Sequence, residues 1–291
     1  MHEHWIREDV VAEYTSFEFL FEPERAILQE IRSRLAGMRM LDIGVGGGRT
    51  TQFFIEHVGE YVGVDYSPTM IQACSRRFEG QGDHVSFHVM DARDLGALQS
   101  ESFDFVLFSF NGLDLVGEDQ DRLRALEEIH RVCREGGLFC FSSQNMDFVR
   151  GAFSVRHSVR RLLQSQVVRD RPADLLLRPR ALLEAVRRPI RWRKLNPDHR
   201  SLVRAGHGII VERRSRYELT KSFYSLPNEQ LLTRMYYIQP QQQISQLRQS
   251  GFNDVRVFAP DGAEVTDRAT PDLMDHRWLY YLCVRTALAH A

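Results

Sequence analysis

The chain has 291 residues, 43% hydrophobic and 26% charged, with a formal net charge of −1, proportions that suit a globular protein with a sizeable core. No apolar run reaches the ~18 residues that a membrane-spanning helix needs, and the opening Met-His-Glu-His-Trp lacks the charged-then-apolar layout of a signal peptide, so a cytoplasmic protein with no membrane partner is expected. Cys74, Cys133, Cys140 and Cys283 lie far apart with no CxxC pair; they read as buried free thiols, and no metal site is expected.

Residues 1–37 read as an amphipathic helical segment. Phe17, Leu20, Phe21, Ile27, Leu28, Ile31 and Leu35 recur near helical spacing, and Pro23 suits a first helical turn. Strand one is expected at Arg39–Ile43, followed by a glycine loop and a helix from about Arg49 to His57. Strand two falls at Tyr61–Val64. Ser67 and Pro68 then supply an N-cap and an N1 proline for a helix to about Phe78. Val85–Met90 and the continuously apolar Phe103–Phe110 read as strands three and four. A helix over Gln120–Cys133 carries Leu123, Leu126 and Ile129 on one face, and Gly136-Gly137 turns into strand five, Leu138–Phe141. This alternation implies right-handed βαβ units.

The pattern breaks after residue 145. Residues 146–220 are arginine-rich, and Pro172, Pro179, Pro189 and Pro197 read as breakers between short helical stretches. Residues 151–216 hold seventeen Arg or Lys against five Asp or Glu, or +12, which leaves the remainder at −13. Such asymmetry points to a segment with its own role. Regularity returns with Leu231–Ile238, a helix over Gln241–Ser250, and strands Asp254–Phe258 and Trp278–Arg285.

Three acids mark strand ends: Asp42 in Met-Leu-Asp-Ile-Gly-Val-Gly-Gly-Gly, Asp65 after Tyr-Val-Gly-Val, and Asp91 after Phe-His-Val-Met. In an open parallel sheet such ends line the ligand crevice. Gly44 and Gly46 let a ligand approach the backbone, and Gly48 permits close packing of the next helix. A dinucleotide fingerprint would need a third glycine where Arg49 stands. Asp65 can accept from two ribose hydroxyls or cap the helix near Ser67, and Asp91 and Asn111 have turn-capping alternatives of their own.

The order and spacing of these residues resemble the class I S-adenosylmethionine-dependent methyltransferases. The resemblance covers residues 1–145 and 231–288. It implies a doubly wound α/β fold: a mostly parallel seven-stranded sheet, last strand antiparallel, with an N-terminal helical segment and a mainly helical insertion between strands five and six. Residues 1–145 and 231–291 would form the cofactor-binding domain and 146–230 a substrate cap. By resemblance Asp42 lies near the amino end of the cofactor, Gly44, Gly46 and Gly48 pack against its methionine portion, and Asp65 holds the ribose. Tyr66 and Met70 then cover the adenine, Asp91 accepts from its amino group, and the Ala92 amide faces a ring nitrogen. Ser109, Phe110 and Asn111 would wall the methyl-transfer site. Tyr14, His207, Tyr224 and Tyr236 lie in segments that flank the pocket in relatives.

The expected reaction is methyl transfer from S-adenosylmethionine to oxygen or nitrogen of a small molecule, leaving S-adenosylhomocysteine. The stretch after strand four lacks the Asn/Asp-Pro-Pro-aromatic motif of nucleic-acid amino-methyltransferases, which lowers the case for a base-modifying enzyme. The basic insertion admits three readings. It binds a small anionic substrate, it binds RNA, or its arginines pair with the acidic body or with a second subunit of a homodimer. RNA binding is disfavoured because Trp192 is the lone aromatic between residues 154 and 216. A nicotinamide oxidoreductase and a non-catalytic cofactor-binding protein are the remaining alternatives.

Overall fold

The computed structural model describes residues 8–164, 179–215, 230–266, 273 and 276–287. The chain divides into two units, the first made of Met1–Ser143, Gln243–Arg268 and Trp278–Ala291 and the second of Gln144–Gln242 and Ala269–Arg277.

In the first unit, β1 (Arg39–Ile43), β2 (Glu60–Asp65), β3 (Val85–Val89), β4 (Phe103–Phe108) and β5 (Cys133–Asn145) are joined by β8 (Phe252–Phe258) and β9 (Trp278–Arg285). The strands lie in the order β3-β2-β1-β4-β5-β9-β8. Pairings from β3 through β5 are parallel, with Asp42 opposite Gly63 on one side and Leu107 on the other. β9 runs antiparallel to β8, with Tyr280 opposite Phe258. The doubly wound sheet with a closing antiparallel strand is therefore present. Its order reverses between β1 and β4, which opens a crevice at the carboxyl ends of these strands.

Six residues of β4, Phe-Asp-Phe-Val-Leu-Phe, are all buried, as a strand covered on both faces requires. Leu20 and the α2 (Glu22–Leu35) residues Ile27, Ile31 and Leu35 share a core cluster with Met40, Phe105, Leu138 and Tyr280. Each such side chain contributes about 1.5–3 kcal/mol relative to exposure. The N-terminal segment is two helices, α1 (Glu8–Thr15) and α2, with Pro23 in the first turn of α2.

Four local expectations change. The helix after the glycine loop shrinks to α3 (Thr51–Phe54), because left-handed Gly46 and Gly48 delay its start and the Thr50 hydroxyl bonds Asp42 instead of capping it. β4 stops at Phe108, since Phe110 and Asn111 take φ of 56° and 60°. In α5 (Asp119–Val132), Leu123 is 39% exposed, and the buried face is Arg122, Ala125, Leu126, Ile129 and Val132. β5 is longer than expected and runs from Cys133 to Asn145. α4 (Pro68–Arg77) stands where the Ser67-Pro68 signal put it.

The second unit holds α6 (Met146–Ala152), α7 (Val155–Gln164), α8 (Pro179–Leu195) and α9 (His199–Ala205), with β6 (His207–Ser215) antiparallel to β7 (Gln230–Ile238). β7 pairs parallel with the end of β5 at Gln144 and Asn145. Among the described residues of this unit helices outnumber strands, and β6 has no counterpart in the sequence reading. Pro189 does not break its segment; α8 runs through it. Asn196 replaces a backbone partner for β6, accepting from the Val211 amide at 2.8 Å and donating to the Val211 carbonyl at 2.9 Å. Pro172 and Tyr224 lie outside the described residues. The helix α10 (Pro240–Gln249) leads into β8. All four cysteines are free and buried. Among the described residues no acid, histidine and cysteine cluster could hold a metal, and no helix is long and apolar enough to cross a membrane.

Candidate functional site

The glycine loop leaves β1 at the point where the strand order reverses. Gly44, Gly46 and Gly48 all have left-handed φ, of 67°, 54° and 81°, which only glycine adopts cheaply. The amides of Gly44 and Val45 both donate to the Val64 carbonyl, so the loop curls back over the end of β2. There Asp65 is buried and holds the loop directly. Its Oδ2 accepts from the Gly46 amide at 3.0 Å and its Oδ1 from the Ser67 amide at 2.9 Å. Ser67, whose hydroxyl accepts from the Met70 amide, is the cap of α4. The capping alternative for Asp65 thus gives way to a loop-bracing role. Burial raises its pKa, and each carboxylate oxygen keeps a second acceptor site, enough for a vicinal diol.

Asp42 lies below the loop, fully buried. Its Oδ2 accepts from the Thr50 hydroxyl at 2.6 Å and the Tyr61 hydroxyl at 2.7 Å, and burial pushes its pKa up to about 6. Tyr66 is half-buried close to two of the acids: burial, then the charges of Asp65 and Asp91, raise its hydroxyl pKa. Met70 packs in a buried cluster with Val10 and Val11 of α1. Asp91 is more committed than expected. Arg93 grips it through Nε at 3.0 Å, Nη2 at 2.7 Å and its own amide at 2.9 Å, which holds the carboxyl below its ordinary range. Ala92 beside it is buried.

Beyond β4 the backbone makes a tight turn. A Cβ on Gly112 would meet Phe108 at 2.1 Å and one on Gly44 would meet the same ring at 3.1 Å, so Phe108 sits between this turn and the glycine loop. Phe110 and Asn111 are successive left-handed residues, a costly state for side chains other than glycine. The turn is pinned on both sides. The Asn111 amide donates to the Ser142 hydroxyl at 2.6 Å, and Asp114 accepts from Arg122 at 2.8 Å and Ser143 at 2.7 Å. The Asn111 side-chain oxygen is buried with no hydrogen-bond partner among the described residues. Asn111 leads a 3-10 turn (Gly112–Leu115) but its side chain does not cap it.

Ser109 has a different employment from the one expected. Its hydroxyl joins Glu24, Arg49 and Tyr280 in a buried network, with Arg49 at 3.1 Å and Tyr280 at 2.7 Å. Glu24, Arg49 and Tyr280 were not singled out as a group by sequence. The available signal was Glu24 on the apolar α2 face of Ile27 and Ile31, and Arg49 in a glycine position. Tyr14 lies beside this turn and the glycine loop: its ring is 6.5 Å from that of Phe110, and a Cβ on Gly47 would strike the Tyr14 and Thr15 backbone at 2.4 Å. Arg77 ties these parts together by donating to the carbonyls of Thr15, Phe17 and Gly47. In the second unit, His207 Nδ1 and the Tyr236 hydroxyl are 3.0 Å apart across the β6–β7 pair.

Residues 40–137 match the family described as a methyltransferase domain. A demethylmenaquinone methyltransferase of Clavibacter sepedonicus is 34% identical over 124 residues, 42% of this chain and 48% of that protein. A ubiquinone biosynthesis O-methyltransferase of Coxiella burnetii is 26% identical over 129 residues, 44% of this chain and 53% of that protein. The chain thus spans about half the length of these relatives. A crystal structure of an S-adenosylmethionine-dependent methyltransferase from Methanosarcina mazei superposes with a TM-score of 0.53 at 15% identity, covering 89% of this chain and 98% of that one, a likeness of fold. The glycine loop and the sheet order agree with these likenesses: residues 40–137 match a methyltransferase domain, and the fold is similar to that of an S-adenosylmethionine-dependent methyltransferase.

Proposed function

We propose that the protein transfers the methyl group of S-adenosylmethionine to an oxygen or nitrogen of a small-molecule acceptor, leaving S-adenosylhomocysteine. The observation that carries this reading is the glycine loop braced by Asp65 beside the strained Phe110–Asn111 turn. The residues present suit the cofactor: a backbone cradle without side chains and a carboxylate with two open acceptor sites. Gly44, Gly46 and Gly48 with Asp42 would hold the amino-acid end, Asp65 the ribose, and Tyr66, Met70, Asp91 and Ala92 the adenine. When bound, the cofactor supplies an electrophilic methyl on a sulfonium.

The chain's own part is then mainly alignment, because placing two reactants in line removes much of the barrier to a displacement. Asn111, held by the Ser142 hydroxyl and the turn after it, offers a fixed acceptor to an O–H or N–H of the incoming molecule. Names of the relatives make a quinol-type ring the first acceptor to try. An RNA acceptor is disfavoured by Trp192, which is buried against Phe153 at 5.6 Å and offers no stacking platform.

Calorimetric titration with S-adenosylhomocysteine tests the cofactor assignment. Binding is expected, and Asp65→Ala should weaken it by about 1–3 kcal/mol, the usual cost of orphaning hydrogen-bonded groups. No heat at millimolar ligand would remove the proposal, and an unchanged affinity in the variant would confine Asp65 to bracing the loop. Label transfer from methyl-labelled cofactor to a panel of quinols, phenols and amines tests the acceptor.

A further inference from the structure

α8 presents an unusual outward stripe. Leu183, Arg187, Ile190, Arg191 and Lys194 are all exposed, at spacings of four, seven, eight and eleven residues that place them on one helix face. Leu183 and Ile190 are each 44% exposed. The opposite side of the helix is the packed one: Pro189 and Trp192 are buried, and Trp192 rests edge-on against Phe153. α7, which packs against α8, repeats the pattern with exposed Arg156, Arg160 and Leu163, the last 46% exposed. Solvated faces of ordinary helices carry charges of both signs. The described charges on this face of α8, Arg187, Arg191 and Lys194, are all positive.

We infer that the α7–α8 face is a docking surface for an anionic phospholipid bilayer. Exposed aliphatic side chains interleaved with arginine and lysine match the two components of such a surface. The cations meet lipid phosphates, and Leu163, Leu183 and Ile190 enter the boundary between headgroups and acyl chains. This is contact on the membrane plane, which the lack of a spanning helix among the described residues leaves open, and it revises the expectation of no membrane partner drawn from apolar run length. It is independent of the proposed chemistry, since none of these residues belongs to the cofactor site.

Flotation of the full chain with phosphatidylcholine vesicles, with and without phosphatidylglycerol, tests the inference. Partitioning onto the phosphatidylglycerol vesicles is expected at low salt, weaker at physiological salt and absent on phosphatidylcholine alone. Arg187→Glu with Lys194→Glu should lower the partition coefficient by about an order of magnitude. Leu183→Ser with Ile190→Ser should lower it by a similar factor. All four positions are exposed, so both variants should keep the parental melting temperature, read by circular dichroism. No flotation with phosphatidylglycerol at low salt overturns the inference, as does flotation equal in all three proteins. It also falls if Leu183→Ser with Ile190→Ser dissociates a lipid-free oligomer in sedimentation velocity, which would make the stripe a self-association face.

Discussion

Arg49 and Glu24 form a buried two-pronged ion pair, Nη1 to Oε2 and Nη2 to Oε1, both at 2.6 Å. The pair joins the end of the glycine loop to the first turn of α2. Burial alone would raise the Glu24 pKa, but the Arg49 charge and hydrogen bonds outweigh it and hold the carboxyl below its ordinary value. The guanidinium also donates to the Phe19 carbonyl and lies over the rings of Phe19, Phe21 and Phe110. One side chain thus sets the N-terminal strap, the loop and the turn before Asn111. Removing a single partner of such a pair leaves an uncompensated buried charge, at a cost of about 3–5 kcal/mol. Arg49→Met should lose that much in urea denaturation, and adding Glu24→Gln should restore part of it. A loss under 1 kcal/mol from Arg49→Met would show that the pair stabilises little.

Gly47 separates packing from backbone freedom. Its φ is not left-handed, yet a Cβ there would lie 2.4 Å from the Tyr14 and Thr15 backbone. Gly47→Ala must therefore move the end of α1 off the loop, with overpacking of about 1–3 kcal/mol and weaker binding of S-adenosylhomocysteine. Gly37 is the counterpart, with φ of 82° and open space around its Cβ position. Gly37→Ala should cost about 1 kcal/mol of stability and leave cofactor affinity as it was. Calorimetry on both variants distinguishes the two effects, and equal cofactor affinities would deny the strap any part in the site.

Much of this was legible in the chain because it depends on local chemistry. The glycine loop, the Ser67-Pro68 helix start and the buried run of β4 follow from backbone geometry and apolar patterning, and the structure has all three. What escaped was long-range. Glu24, Arg49, Ser109 and Tyr280 come from α2, the glycine loop, the end of β4 and β9, and no spacing rule links residues so far apart. Arg49 was read for the glycine it replaces, whereas its role comes from a partner 25 residues earlier. β6 escaped for a related reason. Its pairing with β7 and with Asn196 is non-local, and the surrounding arginines masked its alternation.

Asn111 carries two separable properties, a left-handed backbone and a buried side-chain oxygen without a partner. Asn111→Gly removes the oxygen and adopts the left-handed backbone without strain; Asn111→Ala removes the oxygen and must hold that backbone at a cost. If the oxygen aligns the acceptor, both variants should lose roughly a hundredfold in kcat, with S-adenosylhomocysteine affinity unchanged. Asn111→Ala should lose about a further 1 kcal/mol of stability. Full activity in Asn111→Gly would assign Asn111 to the turn alone. The comparison needs only single-turnover rates and melting curves on the same preparations.

Asp42 links the site to pH. Its pKa in the fold is about 6, against an ordinary 3.8, because burial outweighs the hydrogen bonds from Thr50 and Tyr61. Between those values the unfolded chain has released the proton and the folded chain still holds it, so stability falls as pH rises through this window. Below it the group costs nothing, and above pH 6 the cost levels off near an upper value of about 3 kcal/mol. Asp42→Asn keeps an oxygen for both hydroxyls and cannot ionise. It should therefore match the parent protein in urea denaturation near pH 4 and exceed it at pH 8 by up to about 3 kcal/mol. The same substitution should weaken cofactor binding at pH 8, where the parent carries a full negative charge near the expected position of the cofactor's amino group. A stability difference independent of pH would mean that the charge is compensated by groups other than these two hydroxyls.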